Sequence, residues 1–246
     1  MLNKTLIFCP VFNEIQHLPK LLKRIKSSDY SGDFYFIDSG SNDGSSELIE
    51  NSGLNFIKIE KNLGVGYSII TAIKFAIENN YDIICGISGN NKMDPNEINK
   101  IVEPIINDDF DFVQGSRFLE YEVNSNTPRF RVVSIPILSK LVSFLFRTKV
   151  TDVTCGFRAY KLDLIKRARF KIDQKWLYGY SFEPYLYSNV FLDKGVTKKE
   201  IPVKMSYPSD SSVKYTKIKP ILNYPGLVLP YLLSKFLYKG FDKKSI

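Results

Sequence analysis

The sequence predicts an α/β fold, a mostly parallel central sheet flanked by helices, followed by an amphipathic and basic C-terminal extension. Three observations predict it. Through the first 117 residues, apolar strand-like runs alternate with longer helix-like segments at regular spacing. Four of those runs end in polar turns bearing glycine, asparagine, aspartate or proline, where open α/β sheets place ligands. A chain of 246 residues with 44% hydrophobic content can also bury a full core.

In chain order, a strand at 5–9 stops at Pro10, and a helix at 14–27 opens with Asn13 as its cap. A strand at 34–38 ends on Asp38. The turn beyond it packs small and Asx residues around Gly40 and Gly44, and Asp43 caps the next helix, at 45–51. A strand at 56–59 leads through Lys61-Asn62-Leu63-Gly64-Val65-Gly66 into a helix at 65–78. A strand at 82–87 precedes the polar turn 88–94 and a helix at 95–106 with Pro95 in its first position. The fifth strand is expected at 110–114. After Arg117 the rhythm changes to a polar stretch, 120–129, and then to an apolar segment, 132–146, bounded by Arg131 and Arg147. Residues 1–205 read as one domain and 206–246 as the extension.

The net charge of +8 points to a phosphate-rich ligand, a nucleic acid or an anionic membrane surface. Nothing beyond charge favours nucleic acid, since the chain carries no recognition-helix or aromatic RNA-binding signature. Cys9, Cys85 and Cys155 are too few and scattered for a disulfide framework, which fits a reducing, cytoplasmic compartment. Met1 leads directly into a strand without the apolar core of a signal peptide. No segment reaches the ~20 apolar residues of a membrane span. Residues 220–234 lack charge but are interrupted by Pro225 and Pro230, and Lys214, Lys217, Lys219, Lys235 and Lys239 flank them. Arg129, Arg131, Lys140, Arg147 and Lys149 flank the earlier apolar run. This is the pattern of a segment lying on anionic lipid, or equally of a solvated basic face or a dimer contact.

Each turn has a bland reading beside a functional one. Asn13-Glu14 is ordinary capping chemistry, Gly64 and Gly66 open a helix without completing a dinucleotide fingerprint, and Asp43 belongs to an Asx turn. Asp38 is different, because an acid at the carboxyl end of a central strand needs donors, which a nucleobase or ribose would supply. In the turn 88–94, Lys92 suggests an anionic ligand.

Together, in this order and spacing, the turns resemble those of the family 2 glycosyltransferases, especially the polyprenyl-phosphate branch typified by dolichol-phosphate mannose synthase. The family's P-x-Y-N-E appears at 10–14 with Phe12 for tyrosine, its D-D-G-S-x-D-G at 38–44 with Ser39 for the second acid, and its L-G-x-G at 63–66. Gly115-Ser116-Arg117-Phe118 matches G-S-R-[YF], and residues 152–160 resemble D-x-T-x-G-F-R-x-Y. The resemblance implies a GT-A type nucleotide-binding domain and transfer of a sugar, with inversion, from a nucleotide diphosphate sugar. It places Pro10, Phe12, Glu14 and Asp38 around the nucleoside, with Gly64 and Gly66 allowing close approach, and Ser88, Gly89 and Asn90 at the diphosphate. Arg117, Arg131 and Arg158 become candidates for phosphate contacts.

The chain departs from the family where the metal motif D-A-D-x-x-x-D-P aligns with 88–95. Ser88 and Asn90 stand where two acids belong, and Lys92 stands beside them. A hydroxyl and an amide bind hard cations far more weakly than carboxylates do, so no residue is assigned as a metal ligand. Three readings stay open. Lys92 replaces the metal as a fixed cation; Mg2+ or Mn2+ is held weakly through donor phosphates with Asn90 and Asp94 or Asp152; or catalysis is lost and the chain is a nucleotide-binding module. The acceptor is also open. A polyprenyl phosphate needs cations such as Arg117, Arg131 and Lys214, whereas a saccharide hydroxyl needs a base, for which Asp152 comes first and Glu183 second. Asp152 could instead hold Arg158 or a loop amide. His17 is read as a packing residue, Trp176 and Tyr178 as an aromatic cluster or an acceptor-side loop, and 207–215 as a segment closing over the donor.

Overall fold

Burial along almost all of β1 (Thr5–Val11), on both of its faces, divides the molecule into two packed layers. The computed structural model describes residues 4–30, 32–120, 127–167 and 170–207. Leu6 and Phe8 point to one side of the sheet and Ile7, Cys9 and Val11 to the other, so each side needs a covering layer. The further strands are β2 (Asp33–Asp38), β3 (Asn55–Lys58), β4 (Ile83–Gly86), β5 (Phe112–Ser116), β6 (Arg158–Lys161) and β7 (Lys198–Pro202). They form one seven-stranded sheet in the order β3-β2-β1-β4-β6-β5-β7. Every pairing is parallel except those of β6, which runs antiparallel between β4 and β5.

On the Ile7 side lie α1 (Leu18–Lys26), α2 (Ser45–Glu50) and α4 (Ile98–Asn107); on the Leu6 side lie α3 (Val65–Glu78), α5 (Arg129–Phe146) and α7 (Phe182–Leu192), with the short α6 (Asp163–Lys166). The apolar spacing explains the docking. In α1, Leu18, Leu21, Leu22 and Ile25 repeat at helical intervals and are buried, while Lys23, Arg24 and Lys26 sit at the helix's negative end. In α5, Ile135, Leu138 and Val142 face the core.

Several boundaries differ from the sequence expectation for identifiable reasons. Helix α1 begins at Leu18 rather than at residue 14, because Asn13 does not cap it. Asn13 instead adopts a left-handed backbone, φ 53°, and its side-chain oxygen accepts from the Asn42 amide at 3.0 Å. His17 occupies the cap position, 3.8 Å from the Glu14 carboxylate. The expectation at Pro95 holds, with Asp94 accepting from the Asn96 amide at 3.1 Å ahead of a single 3-10 turn that feeds α4. Strands β6 and β7 and helix α7 were not anticipated. Among the described residues no helix is long and apolar enough to cross a membrane. Lys214, the 220–234 segment and all of 208–215 lie outside the described residues.

Gly64 and Gly66 were expected to admit a ligand, but the structure fills the space with protein. A methyl group on either would overlap the backbone oxygens of Leu177–Gly179, and the Tyr67 amide donates to the Tyr178 carbonyl at 3.0 Å. The glycines let α3 lie directly on that loop. Gly66→Ala should therefore lower the urea unfolding free energy by about 1–3 kcal/mol through forced displacement of the loop. Gly179→Ala, where an added methyl meets nothing within 4 Å, should change it far less.

Candidate active site

The carboxyl ends of β1 and β2 are joined by hydrogen bonds between their two turns. The amides of Asn13, Glu14 and Ile15 donate to Ser41 Oγ at 3.0 Å, Ser45 Oγ at 2.9 Å and Asp43 Oδ2 at 3.1 Å. Beneath them Asp38 is fully buried, accepting from Ser41 Oγ at 2.6 Å and Ser46 Oγ at 2.8 Å. Its donors are therefore one serine of the turn and one of the first turn of α2, and it forms the floor of the turn rather than an exposed acceptor. The serines at 41, 45 and 46 were visible in the sequence, but their direction was not.

Gly89 brings the β4 turn against the β1 turn: a methyl there would lie 2.9 Å from the Pro10 carbonyl oxygen and 3.0 Å from Val11 Cγ2. Pro10, Gly89 and the half-buried Phe12 and Glu14 thus share one end of the sheet. Within the turn, Asn90 Oδ1 accepts from Ser88 Oγ at 2.8 Å and from the Lys92 amide at 3.3 Å. Asn91 is buried with φ 56°, and its side-chain oxygen accepts from Arg24 Nη1 at 2.7 Å. Arg24 Nη2 also pairs with Asp94 Oδ1 at 3.0 Å. Lys92 is pinned from its other side, since its carbonyl accepts from the Ser206 amide at 2.9 Å and Met93 bridges to Met205.

A buried ion pair organises the facing wall. Asp152, with no exposure, accepts through Oδ2 from the Arg117 amide at 3.1 Å and Arg117 Nε at 2.6 Å, and through Oδ1 from Arg117 Nη2 at 2.8 Å. Arg117 Nη2 also donates to Thr154 Oγ1 at 2.6 Å. Burial works against the Arg117 charge, but the Asp152 hydrogen bonds and field outweigh it and raise the guanidinium's pKa. Glu200 on β7 holds the acid's own segment, accepting from Thr151 N at 2.8 Å and Asp152 N at 3.2 Å. Asp152 thus holds Arg117, not Arg158, and its engaged carboxylate is poorly placed to take a proton.

Tyr207 joins the two walls. Its hydroxyl accepts from Arg117 Nη1, and its ring lies 5.5 Å from Lys92 Nζ and 5.7 Å from the Arg131 guanidinium carbon. Three of the sequence-predicted cations, from the turn after β4, the end of β5 and the start of α5, therefore meet at one tyrosine. Burial pushes the Lys92 pKa down, the Arg131 charge adds to that, Glu14 opposes it and Arg117 contributes further. The role of Tyr207 left no local signal, because its partner Arg117 lies 90 residues away in the chain.

Other expected residues turn elsewhere. Arg158 is buried, donates from Nε to Gln114 Oε1 at 2.9 Å, and lies 3.7 Å from Glu183 and 5.5 Å from the Tyr187 ring centre. Trp176 packs edge-on against Tyr185 at 5.5 Å and Tyr178 against Tyr67 at 4.7 Å, so both belong to aromatic packing. The three cysteines are buried, and burial raises each thiol's pKa, that of Cys155 to about 12. The residues at the metal-motif positions do not fit a divalent cation. Ser88 and Asn90 are hydrogen-bonded to each other, Asp94 is paired with Arg24, and among the described residues no three His, Cys, Asp or Glu side chains converge.

Comparison with known proteins places this arrangement in a family. The chain is 26% identical over 230 residues to UDP-N-acetylglucosamine–dolichyl-phosphate N-acetylglucosaminyltransferase of Methanococcus voltae, covering 86% of this chain and 89% of that protein. It is 23% identical over 193 residues to undecaprenyl-phosphate mannosyltransferase of Micrococcus luteus, covering 73% and 74%. Its backbone matches glucosyl-3-phosphoglycerate synthase of Mycobacterium tuberculosis, solved with Mn2+, UDP and phosphoglyceric acid, with a TM-score of 0.66 at 17% identity over 95% of this chain and 78% of that one. That likeness identifies the fold as GT-A. Residues 6–169, which run from β1 past β6 and include every turn described above, match the family model for glycosyl transferase family 2, and to that family the chain belongs.

Proposed function

We propose that this glycosyltransferase moves a sugar from a nucleoside-diphosphate sugar to a polyprenyl phosphate. The observation that carries the reading is the convergence of Lys92, Arg117 and Arg131 on Tyr207. A phosphate monoester is already anionic near neutral pH, so its oxygen needs cations to hold it rather than a base to deprotonate it. Fixed guanidinium groups suit that task. The acceptor oxygen forms its bond to the anomeric carbon as the bond to the diphosphate oxygen breaks, and the electron pair leaves with the nucleoside diphosphate. Arg131 is assigned to the acceptor phosphate. Asp152 is a positioning residue that orients Arg117, and the stitched turns of β1 and β2 together with 88–90 form the donor side. A saccharide acceptor would require a general base, and both Asp152 oxygens are taken up by Arg117. The names of the Methanococcus and Micrococcus relatives support a lipid-phosphate acceptor.

Helix α5 supports action at a membrane surface. Its core-facing side is apolar, and so is the opposite side, where Phe130, Val133, Ile137, Leu141 and Phe144 are exposed at helical spacing. Phe144 is 81% exposed, and with its four neighbours it makes a contiguous apolar stripe of the kind that marks an interaction surface. Arg129, Lys140 and Arg147 flank the stripe, the arrangement of a helix lying on anionic lipid at the face where the nucleotide sugar is available.

Four outcomes test this reading. Incubation with UDP- and GDP-sugars should label farnesyl phosphate, and labelling of saccharides alone would overturn the acceptor assignment. Arg131→Ala should raise KM for farnesyl phosphate about tenfold or more, as expected for losing a charged hydrogen bond of about 1.5–3 kcal/mol, while the unfolding midpoint stays near wild type. Asp152→Asn should lower stability by about 3–5 kcal/mol because it leaves the Arg117 charge buried without its partner. In flotation with phosphatidylglycerol vesicles, Val133→Asp with Ile137→Asp should weaken binding about tenfold or more, since each buried aliphatic side chain contributes about 1.5–3 kcal/mol.

A further inference from the structure

We infer that the Lys92 ammonium takes the place of a divalent cation at the donor diphosphate, so that nucleoside diphosphate binds and leaves without a metal. The inference rests on the reading of the 88–94 turn as the donor-phosphate corner. Three features of that turn support it together.

First, neither metal-motif position offers a carboxylate, and the amide oxygen that stands at one of them is already an acceptor. Asn90 Oδ1 accepts from both Ser88 Oγ and the Lys92 amide, and the Ser88 hydroxyl proton is directed at Asn90. Second, the one carboxylate in the turn, Asp94, is held by Arg24 at 3.0 Å and by the Asn96 amide at 3.1 Å, which serves the start of α4. Freeing it would remove that helix start and leave Arg24 with Asn91 as its partner in place of a carboxylate. Third, the local field has the wrong sign for a metal. Arg131 and Arg117 share Tyr207 with Lys92, and among the described residues Asp152 pairs with Arg117 and Glu14 acts on Lys92, so the cations outnumber the carboxylates that face them. A divalent ion approaching this corner is repelled, and an anion is attracted.

Lys92 is also built as a fixed cation rather than a loose surface lysine. Its backbone is held at both the amide and the carbonyl, its neighbour Met93 bridges to Met205, and its side chain rests near the Tyr207 ring. Among the described residues its ammonium has no hydrogen-bond or ion-pair partner, so its three donors are available to a ligand. When the anomeric carbon–oxygen bond breaks, negative charge grows on the departing diphosphate oxygen. A preorganised ammonium stabilises that charge without a proton changing hands.

The shared ligand chemistry is a phosphate oxygen, from the donor diphosphate or the acceptor monophosphate, and the test separates the two. Titration calorimetry of the full chain with UDP, GDP and CDP, and separately with farnesyl phosphate, is run in EDTA and in Mn2+, with Mn2+ binding alone followed by electron paramagnetic resonance. The expected result is a nucleoside diphosphate Kd equal within about twofold in the two buffers, weakened about tenfold or more in Lys92→Ala and retained in Lys92→Arg, with no binding of Mn2+ alone. The unfolding midpoint of Lys92→Ala, expected near wild type, reports that the variant is folded, and its farnesyl phosphate Kd should rise less than its nucleoside diphosphate Kd, since Arg117 and Arg131 remain at Tyr207. A nucleoside diphosphate Kd that requires Mn2+ in the wild type overturns the inference and leaves the proposed reaction standing, whatever the variants do. Loss of farnesyl phosphate affinity alone in Lys92→Ala places the lysine on the acceptor and also overturns it. Failure of every nucleoside diphosphate to bind in either buffer removes the donor-site reading itself, and the inference with it.

Discussion

Burying a carboxylate and a guanidinium together is costly unless each finds nearly all its hydrogen bonds, and the pairing of Asp152 with Arg117 meets that demand. Asp152 accepts from the Arg117 side chain through both oxygens and from the Arg117 backbone, while Thr154 takes a remaining guanidinium proton. The consequences run outward through the site. Because Arg117 sits just beyond β5, the pair ties the end of that strand to the 151–154 segment. Glu200, on the neighbouring β7, holds the same segment from behind. Arg117 Nη1 donates to the Tyr207 hydroxyl, and the Tyr207 ring lies beside both Lys92 and Arg131. Remove the pair and the cation cluster loses its common anchor.

The two walls of the site handle charge in opposite ways. On the β1–β2 side the acid is neutralised by hydroxyls and amides: Asp38 by Ser41 and Ser46, Asp43 by the amides of Ile15 and Ser45. On the β4–β5 side the cations outnumber the anions facing them, with Glu14 acting on Lys92 from across the cleft. A nucleotide sugar spanning the two would place its least charged part over the serines and its diphosphate among the cations. That polarity follows from the loops, and under the proposed reading it is what orients the donor.

The fold was legible because the first half of the chain obeys its own periodicity. Buried β1, β2 and β4 and the apolar faces of α1 and α4 announce themselves in sequence, and Pro95 marks its helix. What escaped were features decided by distant partners. β6 is four residues long and finds its place only by inserting antiparallel between β4 and β5. Gly64 and Gly66 looked like room for a ligand, but the chain they accommodate is 177–179. Asn13 resembled a cap because asparagine serves that role well, yet asparagine also tolerates the left-handed backbone it adopts here. Lys92, Arg117 and Arg131 were identifiable as cations one by one. Their meeting at Tyr207 was not, since the four residues come from four separate segments.

Helix α5 links the site's chemistry to the place where its proposed acceptor resides. Arg131 lies near the N-terminal end of the helix, between Phe130 and Val133, the first two members of the exposed apolar stripe. The residue that reaches toward Tyr207 and the residues that would meet lipid are thus carried on one rigid element. A polyprenyl chain embedded in a bilayer holds its phosphate at the interface, and a helix lying in that interface brings Arg131 to the same depth. Under the proposed reading the acceptor phosphate need not be lifted into water to meet its cation, and the second apolar face of α5 would have a physical reason that folding does not supply.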